Sequence, residues 1–233
     1  MEIPSRRVFE ILKDKGIEYI HHANSVITSC QFLRKQSLMS RGTIDRAGLF
    51  QTEQKSDRID KNLGIWFDIF ADSVDIHDRA KRANLYGPVL FELDVELIAN
   101  AYTGRVWITK CNPTKWDRNR KPEKRWFSSA EDLEENFRDG TFDHTIVFRH
   151  CGGELPIKKY LNKIILDDPM LVLETKKYDI DYFSMAYGAI SLAMTEGGID
   201  VPIEKRKCPS NCSCIEDYND GTIDASKMFR PRI

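Results

Sequence analysis

A chain of 233 residues with 41% hydrophobic content is long enough to bury a substantial core, so disorder is not the expectation. Its 35 lysines and arginines are offset by 36 aspartates and glutamates. The resulting net charge of -1 excludes a global attraction to nucleic acid or anionic membrane and leaves any polyanion site to be local.

The opening Met1-Glu2-Ile3-Pro4-Ser5-Arg6-Arg7 carries no apolar signal core, and no run approaches the roughly 20 apolar residues of a spanning helix. The expectation is a cytoplasmic protein, with no membrane partner, whose six cysteines are thiols. Ser5 is placed to cap a helix whose Val8, Ile11 and Leu12 share one face and which Gly16 ends. Residues 17–22 read as a strand. Val26, Ile27, Cys30 and Leu33 recur at helical spacing, predicting a helix over 26–36 packed on that strand. Over 43–62 the pattern dissolves into polar residues, which predicts a long surface segment of the kind that is often functional in compact domains.

Residues 64–70 are apolar enough for a buried strand or a short helix, and 88–93 and 105–109 are clearer strands. Ser128 with Glu131 resembles a capping box opening a helix that stops at Gly140. Residues 145–149 and 163–166 return to strand. A second long helix begins near Asp179, with Tyr182, Met185, Ala186, Ala189 and Ala193 as its apolar stripe and Gly197-Gly198 as its stop. There is no regular βαβα alternation, repeat or clear linker, so the class is α+β in one domain.

The segment Tyr19-Ile20-His21-His22-Ala23-Asn24-Ser25, followed by the helix and by Leu38-Met39-Ser40-Arg41-Gly42, is the first place to look for a ligand. A strand that delivers a histidine and a small polar residue at its end is one way to hold a nucleotide against a sheet edge. The two histidines alternate faces, so one is expected inside and the other toward a cleft or solvent. A core histidine satisfied by a backbone partner is the other reading.

These same residues resemble the opening of ADP-ribosyltransferase-fold proteins, particularly the DarT-type enzymes that modify nucleic acid. In that family an early strand ends in a His-x-Thr-like element that holds NAD; here Asn24 stands where threonine is more usual. The block from Asp68 to Asp72 and on to Asn84-Leu85-Tyr86-Gly87-Pro88-Val89-Leu90-Phe91 is similar in layout to the family's second segment. The resemblance covers the pattern of elements over residues 17–168. It implies split antiparallel sheets with flanking helices over 1–200, and a Cys-containing extension over 201–233 packed on them.

The resemblance further implies NAD as substrate, held by His22, Asn24, the Ser40-Arg41 corner and Tyr86. It also implies a DNA or RNA acceptor, a toxin or phage-defence setting, and a partner protein that restrains the activity. The family's catalytic glutamate lies on a late strand, yet Asp143-His144-Thr145-Ile146-Val147-Phe148-Arg149 contains none. Glu154, after Cys151-Gly152-Gly153, is the nearest candidate and reads as part of a turn. The family's arginine near the leaving group falls on Arg41 or Arg46. Breaking the nicotinamide–ribose bond develops oxocarbenium charge, so a carboxylate stabilises the transition state while basic groups hold the pyrophosphate. Water must be excluded, or NAD is merely hydrolysed. Segment 43–62 is positioned in sequence to be such a cover, or to be an ordinary solvated loop.

A second signal is the basic, aromatic stretch Lys110, Lys115, Trp116, Arg118, Arg120, Lys121, Lys124, Arg125 and Trp126. Cations that meet phosphates, interleaved with rings on which bases stack, suit single-stranded nucleic acid, and on a transferase this loop would dock the acceptor. The simpler account is a solvated charged loop. Cys208, Cys212 and Cys214 supply three soft ligands where structural zinc takes four; His150 or Cys151 would complete the set if the fold brought them together, and unligated thiols are the expectation. Two other functions compete. Glu92, Asp94 and Glu96 with Lys110 suggest a metal-dependent nuclease, and the 116–126 loop alone suggests a non-catalytic nucleic-acid-binding module.

Overall fold

In the computed structural model, which describes residues 2–102, 104–116, 121–174, 177 and 179–231, strand β1 (Ile3–Pro4) runs directly into helix α1 (Ser5–Asp14). Then come β2 (Tyr19–Asn24), α2 (Val26–Lys35), β3 (Ser37–Met39), α3 (Arg41–Arg46), α4 (Asp57–Leu63), β4 (Ile69–Ala71) and α5 (Ile76–Ala80). The middle of the chain gives β5 (Val89–Asp94), α6 (Leu97–Asn100), β6 (Arg105–Ile108), α7 (Ala130–Asn136), β7 (Ile146–Phe148), β8 (Glu154–Pro156) and β9 (Leu161–Leu166). The remainder is β10 (Val172–Glu174), β11 (Asp179–Asp181), α8 (Tyr182–Gly197), β12 (Ile203–Lys205), α9 (Cys214–Asn219) and α10 (Ala225–Phe229).

Two four-stranded sheets, in the orders β1-β6-β7-β4 and β12-β9-β5-β2, form the framework, with β3-β8 and β10-β11 as separate pairs. All their pairings are antiparallel except that of β12 with β9, which is parallel. The sheets meet at their edges. His21 on β2 and Asp72 just after β4 exchange two backbone hydrogen bonds of 2.8 and 2.9 Å. Helix α2 lies over the second sheet, where Phe32 meets Phe91 of β5 edge-to-face at 6.0 Å between ring centroids. Segment 201–233 is no loose appendage: it contributes β12 to that sheet, and Tyr218 and Phe229 are buried in the main core.

Several elements differ from their sequence reading. Ser5 opens α1 but does not cap it, because Pro4 occupies the N-cap position with φ -52° and ψ 132° and supplies the extended entry through its own ring. Strand β2 is displaced toward Asn24 because its extent is set by its partner, Tyr19 to Asn24 lying opposite Asp94 to Val89. The polar stretch 43–62 is not one long loop. It carries the end of α3 and most of α4; α4 buries none of its residues fully, so no apolar period betrays it. At α7 the cap is Ser129, accepting from the Asp132 amide, while the Asp132 carboxylate accepts from the Ser128 amide and hydroxyl. That helix ends at Asn136, because Phe137 turns out of it into the core.

Helix α8 ends as its pattern predicts, closed by Gly198 at φ 59°, but starts at Tyr182 rather than near Asp179, because residues 179–181 pair as β11 and Asp181 caps the helix. It packs along α2, and Gly197 sits where a Cβ would overlap the Leu33 carbonyl oxygen; at Gly188 on the same helix nothing lies within 4 Å of the added atom. The two glycines are therefore expected to respond with opposite sign. Gly188→Ala should stabilise by up to about 1 kcal/mol through helix propensity, whereas Gly197→Ala should destabilise by about 1–3 kcal/mol through overpacking. Urea unfolding of the two variants measures both.

Candidate active-site cleft

Where the two sheets meet, a cleft enclosing about 930 Å³, its open mouth included, is lined by residues of both sheets, of the β3–α3 corner and of segment 54–60. The end of β2 supplies the first wall. His22 places Nδ1 2.7 Å from the Phe70 carbonyl oxygen, so Nδ1 carries the proton and donates, leaving Nε2 as an acceptor toward which Asn24 Nδ2 donates at 3.4 Å. Phe32 packs edge-to-face on the ring at 5.5 Å, and burial holds the imidazole pKa below its usual value. Asn24 Oδ1 accepts from the Ser25 amide, which fixes the amide orientation. Gly87, at φ 143°, lets the 84–88 turn lie against the Asn24 backbone, since a Cβ there would overlap the Asn24 carbonyl. Tyr86, beside it, lines the same cleft.

The second wall is the β3–α3 corner. Ser40 caps α3, accepting from the Thr43 amide at 3.1 Å, and its own amide donates to the Gly153 carbonyl at 2.8 Å. Arg41 is clamped by both oxygens of Asp57 at 2.8 and 2.6 Å and lies 5.7 Å from the Trp66 ring. Its Nη1 is buried and has no hydrogen-bond partner among the described residues. The third wall is the stretch expected to be a cover. Thr52 N donates to Thr28 Oγ1 and Gln54 N donates to Asp57 Oδ2, so this backbone is tied down, and Gln54, Ser56 and Asp60 face the cleft.

Three aspartates line the same space. Burial pushes the carboxyl pKa up to about 6 at Asp60 and at Asp68, and up to about 7 at Asp72. Arg149 opposes the shift at Asp68 with a 2.9 Å ion pair, and Thr145 donates to Asp72 at 3.5 Å. Burial and the charges of Asp72 and Asp60 raise the Tyr86 phenol to about 12, which keeps it protonated as a donor. Sequence reasoning missed these carboxylates as site residues, because nothing in their spacing distinguishes them from surface acids.

All five residues selected to hold a nucleotide, His22, Asn24, Ser40, Arg41 and Tyr86, line this one cleft. Glu154 is not in a turn. It begins β8 and lies opposite Met39 in the antiparallel β3–β8 pair, but it is exposed and does not line the cleft, although Met39 does. Arg46 stands apart: it is exposed, its guanidinium 5.1 Å from the Phe67 ring, and it does not line the cleft.

The basic stretch divides. Arg118 and Arg120 lie outside the described residues. Trp116 and Trp126 are not platforms for bases; they are buried against each other at 4.8 Å and against Ile65 and Val147, in a small core of their own. Lys115 bonds Asp143, Arg125 lies over Trp116, and Lys121 and Lys124 are exposed. Asn112 to Thr114, at the start of this loop, line the cleft. Lys110 is committed to Asp132 at 2.6 Å, while Glu92 faces Lys163 and His21, so the proposed nuclease set is not brought together. The cysteines 208, 212 and 214 do converge, but the fourth residue beside them is His77 of α5 rather than His150 or Cys151. No family model matches the chain, and no curated protein matches its sequence.

The raised Asp72 pKa has a signed consequence. The folded state holds this proton up to about pH 7 while the unfolded chain releases it near 3.8, so the contribution of this group to stability falls as pH rises across that window. Asp72→Asn keeps an acceptor for Thr145 and removes the titration. The stability of the variant relative to the parent should therefore rise between pH 5 and 7, by at most about 1.4 kcal/mol per pH unit, and level off above. Denaturant unfolding at unit pH intervals reads this directly, and a flat difference would return Asp72 to an ordinary carboxylate.

Proposed function

We propose that the cleft binds NAD as substrate and that the protein is an ADP-ribosyltransferase of the DarT type acting on nucleic acid, in the toxin or phage-defence setting that such chemistry serves. The observation that carries this reading is convergence: residues of three separate segments, chosen from their resemblance to nucleotide-holding motifs, line one cleft. The donor set fits the ligand. An Nη1 of Arg41 without a protein partner suits a pyrophosphate oxygen, the Asn24–His22 pair offers oriented amide and imidazole groups, and Tyr86 offers a ring for nicotinamide.

In this reading Glu154 hydrogen-bonds the ribose beside nicotinamide and stabilises the positive charge that develops as the glycosidic bond breaks. The tied-down 47–60 stretch excludes water, and Asp72, whose carboxyl burial raises to about 7, takes up a proton beside the pyrophosphate more readily than an ordinary carboxylate and so lessens the repulsion there. The acceptor approaches over the loop that follows Asn112. The buried tryptophans assign its contribution to cations such as Lys121 and Lys124, and to phosphate rather than base contacts.

NAD is expected to raise the melting temperature, since a ligand that binds only the folded state adds RT ln(1 + [L]/Kd) to stability. His22→Asn retains a donor for the Phe70 carbonyl while deleting the Nε2 acceptor, so it should stay folded and lose most of that shift. No shift in the parent protein at millimolar NAD would end the proposal.

Glu154→Gln should preserve the NAD-induced shift while cutting transfer of labelled ADP-ribose to DNA or RNA by about 100-fold or more, because the loss falls on the transition state. Near-normal transfer by that variant would remove Glu154 from the chemistry. Lys121→Gln with Lys124→Gln should weaken acceptor binding and reduce the slope of log K against log salt by about 1.5. An unchanged slope makes the loop a solvated face.

A further inference from the structure

The Nε2 of His77 and the sulfurs of Cys208, Cys212 and Cys214 lie within 4.8 Å of one another, although His77 is 131 residues from Cys208 in sequence. Cys208 Sγ is 3.5 Å and Cys212 Sγ 3.4 Å from His77 Nε2, and Cys208 Sγ is 3.4 Å from Cys214 Sγ. Zinc held tetrahedrally by thiolates at about 2.3 Å and imidazole at about 2.0 Å separates its ligands by about 3.5–3.8 Å. These three separations are thus already close to those of such a tetrahedron, and all four atoms lie within 4.8 Å of one another.

The imidazole is prepared for the role. Asp167, itself buried, accepts from His77 Nδ1 at 2.9 Å, which fixes the tautomer and leaves the Nε2 lone pair directed at the sulfurs. Metal-bound histidines are commonly oriented by a carboxylate in this way. Asp167 is in turn held by Tyr218 and by Arg206, and Arg206 also bonds Asp75 at the start of α5. A histidine kept only for packing would not need three sulfurs around its free nitrogen.

We propose that His77, Cys208, Cys212 and Cys214 form a structural zinc site. Four protein ligands close the coordination sphere, so the ion supplies no open position for chemistry; it joins the 206–214 segment to α5. Binding displaces three thiol protons to solvent, and the zinc with three thiolates and a neutral imidazole carries one net negative charge. The same junction is braced by Ser213 N donating to the Lys81 carbonyl at 2.9 Å and Ala83 N donating to Asp217 at 2.9 Å. Its effect reaches the cleft through Ile76 and Tyr86, which flank the braced stretch. The proposal is independent of what the cleft binds.

The test is elemental analysis of the full chain, purified under reducing conditions and dialysed with zinc in slight excess before free metal is removed. One zinc per chain is expected. Replacement by cobalt should give the visible and near-ultraviolet bands of a tetrahedral thiolate–imidazole centre. His77→Cys should keep one equivalent and shift those bands toward an all-thiolate centre, which a merely structural histidine would not do. Cys208→Ser and Cys212→Ser should each lose the bound metal, while Cys111→Ser and Cys151→Ser keep it. Less than a tenth of an equivalent in the parent chain would overturn the site, as would retention of a full equivalent in both Cys208→Ser and Cys212→Ser. A disulfide in protein handled without oxygen, seen as a mass two daltons low, would overturn it equally.

Discussion

Two backbone hydrogen bonds exchanged by His21 and Asp72 join the edges of the two four-stranded sheets, and the cleft owes its position to that joint. Because side chains alternate along a strand, pinning His21 by its backbone at the joint turns its neighbour His22 toward the cleft while the His21 ring faces Glu92 on the other side. A one-residue slip of β2 against β5 would exchange the two histidines. Six consecutive antiparallel pairs prevent it, with Ile20 buried opposite Leu93 and the Asn24 end fixed opposite Val89. The placement of the imidazole is thus a property of the sheet rather than of any contact made by the ring itself.

The cleft combines an unusual inventory: one clamped arginine, a neutral histidine of fixed tautomer, and three carboxyls that burial raises toward neutrality. Low dielectric gives these shifts their common origin, and it also strengthens whatever hydrogen bonds a bound ligand completes. Near neutral pH Asp60 and Asp68 are still mostly ionised, Asp68 against Arg149, while Asp72 is about half protonated, so the charge of the cleft falls as pH drops below 7. An anionic ligand would find there an arginine nitrogen without a protein partner among the described residues.

Long periodic elements were legible in the sequence: α1, α2 and α8, whose apolar faces repeat over ten or more residues, and β5 and β6, whose cores are nearly all apolar. The elements that escaped are short or lean on distant partners. Strands β3 and β8 have three residues each and exist because they pair with one another, and α4 turns no buried face inward. The cleft residues of β2 and the β3–α3 corner were readable as a pattern of types. His77 was not, because a lone histidine on a five-residue helix carries no spacing relation to cysteines so far along the chain. The tryptophans of the basic loop show the opposite failure: composition suggested exposed stacking surfaces, and burial against Ile65 and Val147 made them core.

The parallel pairing of β12 with β9, together with the Arg206 bridge from Asp75 to Asp167, brings together parts of the chain that are synthesised far apart. Asp75 leaves the ribosome 131 residues before Arg206. Contacts of such long range close late in folding, since the loop entropy must be met before they return any stabilisation. The stretch that carries Ile76 and Tyr86 into the cleft consequently waits for its brace until Arg206 has been made. A growing chain possesses the β2 and α3 walls long before it possesses the finished opposite wall, so the two sides of the cleft become rigid at different times.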